Sequence, residues 1–432
     1  MTQTLAKPAF SELVAASFKV GCLGFGGPAG QISLMHRIFV DEKKWLDEAR
    51  YLHALNYCML LPGPEAQQLA TYVGWLLHGV RGGIVAGLLF VLPGAVIVFG
   101  LSWLYVLHAQ TPVVDGLFFG VKAAVLALVA EAMWKIGKRS LKTGLDLAIA
   151  VAAFASLFLF GVPFPVVIIA AAALGMVRIK PANSQPLQPE ATPVQPRATG
   201  ALGAAALWGI VWLAPLAAVL IVLGPDHILT QVGLLFSQLA VVTFGGAYAV
   251  LAYLQQQAVD AHGWLAAGQM IDGLGLAETT PGPLILVNQF VGFLAGWQAP
   301  GGGFLLAAAA AAMASWCTFA PSFLWIFAGA PFAERLRTSP VASAALASVT
   351  TAVLGVIANL ALWFGLHVLF ARTLTYATPW GHALVAPDPA SFDIVAAIFA
   401  LAAGVALFRF KTNVVVVVIV AALAGVAWRL LL

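Results

Sequence analysis

The sequence predicts an all-α integral membrane protein built from two inverted-topology repeats, each with two broken, re-entrant helix hairpins and about four spans, joined by one extra transmembrane helix. Three observations carry this expectation. The chain repeats itself: Phe25-Gly26-Gly27, Trp45 and Pro62-Gly63-Pro64 return as Phe244-Gly245-Gly246, Trp264 and Pro281-Gly282-Pro283, all displaced by 219 residues. The composition suits a bilayer, 62% apolar and 9% charged, where an ordinary soluble domain is roughly a quarter charged. Lysine and arginine fall on opposite loops in the two copies, and short loops rich in these residues stay cytoplasmic.

Apolar stretches near or above the roughly 20 residues that cross hydrocarbon lie at 82–107, 116–134, 203–223, 303–329, 341–369 and 412–432, with shorter ones at 144–160, 163–177 and 392–408. The N-terminus carries Lys7 and Pro8 but no compact apolar core before a cleavage site, so the apolar segments are expected to serve as their own insertion signals. The hydrophilic stretch 178–199 holds five prolines and reads as a flexible linker. The expected organisation is a first membrane repeat over 1–177, a cytoplasmic Pro-rich linker over 178–202, a connecting transmembrane helix over 203–224 and a second, inverted repeat over 225–432.

Equivalent loops carry opposite charge bias. Arg37, Lys43, Lys44 and Arg50 lie between the two motifs of the first copy, and no Lys or Arg lies around Asp260 in the second. Lys135, Lys138, Arg139 and Lys142 face only Arg372 and Asp388 in the matching long loop near 370–391. The reverse holds at 108–115 against Arg335 and Arg337, and at Gly161-Val162-Pro163 against Arg409-Phe410-Lys411. This places the linker inside and Leu432 outside. Tyr51 to Gly79 then leaves from and returns to one side, so it reads as a hairpin broken at Pro62-Gly63-Pro64.

Broken backbone at membrane depth must line protein or a water-filled cavity. A helix that restarts there presents free N–H groups and the positive end of its dipole, a ready place for an oxyanion. The candidate binding residues are therefore Gly26, Gly27, Gly63, Pro64, Gly245, Gly246 and Gly282, with polar neighbours Glu65, Gln68, Asn288 and Gln289 and the cations Lys19 and Lys122. Competing readings stay open: Lys122 pairing with Glu131 or another carboxylate, Lys19 snorkelling, and Glu65 capping its own helix. Glu65 and Glu278 could also be protonated, pair with a base or carry a coupled proton. Cys22, Cys58 and Cys317 lack paired spacing and read as packing, with no metal site expected.

At these residues the chain resembles the long, duplicated form of the chromate ion transporter family. The specific stretch runs from Gly24-Phe25-Gly26-Gly27-Pro28 through Trp45 and Leu61-Pro62-Gly63-Pro64-Glu65-Ala66-Gln67-Gln68 to Gly82-Gly83 and Pro93-Gly94. The second half matches at Thr243-Phe244-Gly245-Gly246, Thr280-Pro281-Gly282-Pro283 and Phe290-Val291-Gly292, with Ala247 in place of the proline seen as Pro28 and Phe293 in place of an expected tyrosine. The resemblance implies chromate export from the cytoplasm, conferring resistance, with sulfate as the look-alike anion. A bacterial-type plasma (inner) membrane, a lipid environment and no cofactor go with it, and a homodimer is compatible with it. Other functions are a proton-coupled importer of sulfate or another oxyanion, and an intramembrane enzyme using Glu65, Glu278 and His36. The latter has no Ser/His/Asp arrangement or metal spacing behind it. No nucleotide-binding motif is present, and the net charge of +4 reflects loops rather than a nucleic-acid partner.

Overall fold

The computed structural model describes residues 8–177, 200–244, 246–329 and 339–431. The linker 178–199, Gly245, Arg335, Arg337 and Leu432 lie outside the described residues. Helices dominate, and six among the described residues are long and apolar enough to cross a membrane: Glu65–His108, Pro112–Ser140, Ala201–Leu223, Phe304–Gly329, Pro340–Leu369 and Val414–Leu431. They coincide with the six long apolar stretches of the sequence. The shorter apolar helices Gly144–Phe160, Phe164–Val177 and Ile394–Phe408 coincide with the three shorter stretches.

The first copy runs α1 (Phe10–Leu23), α2 (Gly27–His36), α3 (Glu48–Cys58), α4 (Glu65–His108), α5 (Pro112–Ser140), α6 (Gly144–Phe160) and α7 (Phe164–Val177). After α8 (Ala201–Leu223) the second copy follows with α9 (Ile228–Val242), α10 (Ala247–Gln255), α11 (Ala267–Thr279), α12 (Val287–Gln298), α13 (Phe304–Gly329), α14 (Pro340–Leu369), α15 (Ile394–Phe408) and α16 (Val414–Leu431). The second copy counts one helix more than the first because α4 is two helices in continuous succession: His78 and Gly79 leave helical geometry inside it. Its arms, 65–77 and 80–108, match α12 and α13.

The duplication extends to single hydrogen bonds. A π-helical turn spans Arg37–Glu42 in one copy and Gln256–Ala261 in the other. Lys43 and Trp45 donate to Ile38 and Phe39, as His262 and Trp264 donate to Gln257 and Ala258. The left-handed residue between them is Lys44 in the first copy and Gly263 in the second. Among the described residues, the departure from an all-helical reading is the long loop after α14, where Thr373–Ala377 and Ala383–Pro387 pair as an antiparallel hairpin, Thr373 opposite Pro387. The β-branched and aromatic residues of Thr-Leu-Thr-Tyr suit a strand, and Gly381 at φ 83° turns the chain.

The chain divides into two compact units, each drawing on both copies. The first comprises Met1–Phe99, Arg178–Gly246 and Thr280–Ser343; the second comprises Gly100–Val177, Ala247–Thr279 and Ala344–Leu432. Lipid offers little hydrophobic drive between helices, so close backbone approach through small residues does the packing. In the first unit, Gly292 and Gly296 of α12 lie against Ala310 and Ala307 of α13, where an added Cβ would come within 2.8 Å of backbone atoms. In the second, Gly116 and Gly120 of α5 meet Gly425 and Ala421 of α16 in the same four-residue spacing.

Candidate functional site

The four helix breaks all belong to the first unit. Each is forced by local chemistry. Gly26 adopts φ 82° ahead of α2 and Gly27 φ 68°, a region that costs an L-residue roughly 1–2 kcal/mol. Pro28 sits in the first turn of α2, where its missing N–H costs nothing. At the other breaks Gly63, Gly246 and Gly282 take φ of 106°, 102° and 96°.

The breaks pair crosswise between copies. The Gly63 N–H donates to the Thr243 carbonyl at 3.0 Å, and the Gly282 N–H donates to the Gly24 carbonyl at 3.1 Å. These bonds are equivalents, since Gly24 and Gly63 displaced by 219 residues are Thr243 and Gly282. A contact made in both senses between equivalent positions is the mark of two-fold symmetry. Glu65 extends the first pairing, its Oε1 lying 3.8 Å from where a Cβ on Gly246 would stand. Gly94 of α4 packs on the other, against the Pro281 carbonyl and Gly282.

Buried amide side chains tie the breaks down. Gln31, fully buried, donates to the Gly282 carbonyl at 2.6 Å and to the Gly24 carbonyl at 3.2 Å. Gln68 donates to the Pro62 carbonyl at 2.7 Å, Gln67 to Phe319, and Gln289 to Ala95 at 2.8 Å. Asn288 donates to the Thr318 hydroxyl, whose own proton goes to the Ala314 carbonyl. Every partner can only accept, so the orientation of each amide is settled by chemistry. Among the described residues the oxygens of Gln31, Gln67, Gln68 and Asn288 consequently have no hydrogen-bond partner. The donors left at the breaks are backbone ones: the first-turn amides of α2 and of α4, where the Gln68 N–H is the first to reach back, to Pro64.

Each of the two expected cations faces a carboxylate. Lys19 is exposed and faces Glu42 at 3.9 Å. Lys122 belongs to the second unit, where its ammonium lies 3.1 Å from Asp272 Oδ1 and Tyr105 donates to the other carboxylate oxygen at 2.8 Å. The carboxylate reading of Lys122 thus holds, with Asp272 as partner. Glu131 pairs instead with Lys135 at 2.7 Å. Also in that unit, Tyr248 donates to Glu278 at 2.7 Å. His36 caps the hairpin loop between Glu48 at 2.6 Å and Asp41 at 3.3 Å; the Glu48 hydrogen bond and both negative charges hold its pKa above the ordinary value. Both ring nitrogens are engaged, so it is an ion-pair anchor and not a free base.

Sequence reasoning missed Gln31, Asp272, Tyr105 and Tyr248. The signals existed: a glutamine one turn past the first break, and an aspartate inside the apolar run Met270-Ile271-Asp272-Gly273-Leu274, costly in a membrane unless partnered. Which side chains answer them, only folding shows.

A family model described as chromate transporter matches residues 11–176 and 230–426. The chain is 31% identical over 369 residues to a probable chromate transport protein of Synechococcus elongatus, covering 83% of this chain and 86% of that one. It is 34% identical over 310 residues to a chromate transport protein of Pseudomonas aeruginosa, covering 68% and 69%. A chromate transport protein of Cupriavidus metallidurans is 29% identical over 346 residues, 80% of each chain. No solved structure matches the chain.

Proposed function

Since the chain belongs to the chromate transporter family, we propose that it is a secondary transporter that exports chromate from the cytoplasm, holding the tetrahedral dianion at half-helix N-termini of the broken hairpins. The observation that carries this reading is the crosswise pairing of the breaks, Gly63 with Thr243 and Gly282 with Gly24. It gathers restarted helices in pairs, and each restart offers N–H groups and a partial positive charge. Gly26, Gly27, Gly63, Pro64, Gly246 and Gly282 shape those restarts, and Gly245 belongs to the same candidate set. Gln68, Asn288 and Gln289 serve the site by holding it, because their amide nitrogens are spent on protein acceptors. The reciprocal bonds also support an inverted relation of the two copies, in agreement with the opposed Lys/Arg bias. Lys122 acts through its pair with Asp272, and Lys19 at the cytoplasmic surface.

Export follows from energetics. A dianion leaving through an inside-negative potential of about 100 mV releases roughly 4.6 kcal/mol, twice the single-charge value, so no nucleotide is needed. The test is chromate flux in everted and right-side-out membrane vesicles energised to the same potential. Everted vesicles should accumulate chromate in proportion to the amount of protein. Accumulation confined to right-side-out vesicles would overturn export in favour of import.

A further inference from the structure

Of the carboxylates on α5 and α11 in the second unit, all but one face a cation. The packed helices α5 and α11 carry four carboxylates: Asp115, Glu131, Asp272 and Glu278. Three have a cation each: Arg429 of α16 lies 2.9 Å from Asp115, Lys135 2.7 Å from Glu131, and Lys122 3.1 Å from Asp272. Glu278 is the fourth, only 6% exposed. Among the described residues no Lys, Arg or His lies within ion-pair distance of it. Its partner is the neutral Tyr248 hydroxyl of α10, and the other ionisable group acting on it is Glu131, of its own sign.

We propose that Glu278 is a proton-binding site whose protonation is linked to loading of the transported anion, an inference that rests on the oxyanion-transport reading above. An ionised carboxylate away from water is unfavourable without a cation, and one tyrosine hydroxyl replaces little of its hydration. At rest the side chain is therefore the neutral acid, accepting the Tyr248 proton on Oε1. A dianion entering the low-dielectric protein interior repels an ionised Glu278, so loading the anion favours holding the proton. By linkage the effect is reciprocal: the protonated carboxyl favours the anion. Proton and anion then travel together, each dianion with one proton, so the moving charge falls from two to one and the electrical drive for export is half that of the bare dianion. The neighbouring Asp272 cannot substitute, because Lys122 and Tyr105 already compensate it.

The experiment uses the full chain reconstituted in liposomes with a trapped pH dye, the membrane potential clamped and an inward gradient of chromate, with sulfate in parallel and protein-free liposomes as the blank. Wild-type vesicles should take up anion and acidify inside. Glu278→Gln should lose the acidification and the dependence of the remaining anion flux on pH, and Glu278→Asp should restore both. If the glutamine variant does not fold, Tyr248→Phe, which keeps the carboxyl and removes its donor, should displace the pH profile of flux. The inference is overturned if wild-type flux runs without acidification, if protons move opposite to the anion, or if Glu278→Gln or Tyr248→Phe leaves both readouts as in wild type. Wild-type vesicles that take up neither anion overturn the transport reading itself, a different failure seen in a different arm.

Discussion

Replacing Gln31 by leucine tests whether the breaks are clamped as described. The side chain is fully buried and its nitrogen bonds two carbonyls, Gly282 at 2.6 Å and Gly24 at 3.2 Å. Leucine fills a similar volume without a donor. The Gly24 carbonyl keeps the Gly282 N–H, whereas the Gly282 carbonyl loses the one bond seen to it. A buried acceptor left unsatisfied costs about 1–3 kcal/mol, here partly offset because the unpartnered Gln31 Oε1 leaves as well. A net cost of about 1–2 kcal/mol is expected, which at 1.4 kcal/mol per decade is roughly a 5- to 30-fold shift in the opening equilibrium. Amide hydrogen exchange of the protein in detergent micelles reads this directly, since local opening sets the exchange rate. The Gly282 amide should exchange faster by that factor, while amides of α5 and α16 in the second unit stay unchanged. Chromate flux should fall in parallel. Exchange at Gly282 equal to wild type in a folded Gln31→Leu protein would refute the clamp.

Two further perturbations separate charge from support and fix the topology. Lys122→Met leaves Asp272 buried and unpaired, a change that typically costs about 3–5 kcal/mol, toward the lower end because the lysine side chain is 27% exposed; membrane abundance should drop, and Lys122→Met with Asp272→Leu should recover it. If the double variant is abundant and transports as wild type, Lys122 has no role toward the anion beyond its pair. Single cysteines at Ser184 and Ala261 should label from opposite sides of intact cells, the first only after permeabilisation, and labelling of both from one side would sink the inverted arrangement.

The breaks were legible in sequence because glycine and proline interrupt a helix: the positive φ at Gly27, Gly63, Gly246 and Gly282 is open to glycine at little cost and proline withholds a helix donor. The helices were legible for a related reason, since an apolar run long enough to cross hydrocarbon has few other stable forms. Even the π-helical turns repeat because the local sequence around Trp45 and Trp264 repeats. The hairpin at 373–387 was less legible, being short, half exposed and outside the duplicated motifs.

What joins to what was not legible. Gln31 has valine at its equivalent position, Val250, and Glu278 has methionine, Met59, so repetition gave no hint of either. Their roles depend on a backbone carbonyl 251 residues away and a tyrosine hydroxyl 30 residues away, and a hydrogen bond's worth is decided by who faces it once water is gone. Sequence alone determined the duplication, the helices, the points where they break and the family. Tertiary structure decided that the breaks pair across copies, that Lys122 is spent on Asp272, and that Glu278 is left without a cation, because compensation of buried charge is a property of neighbours in space and not of neighbours in the chain.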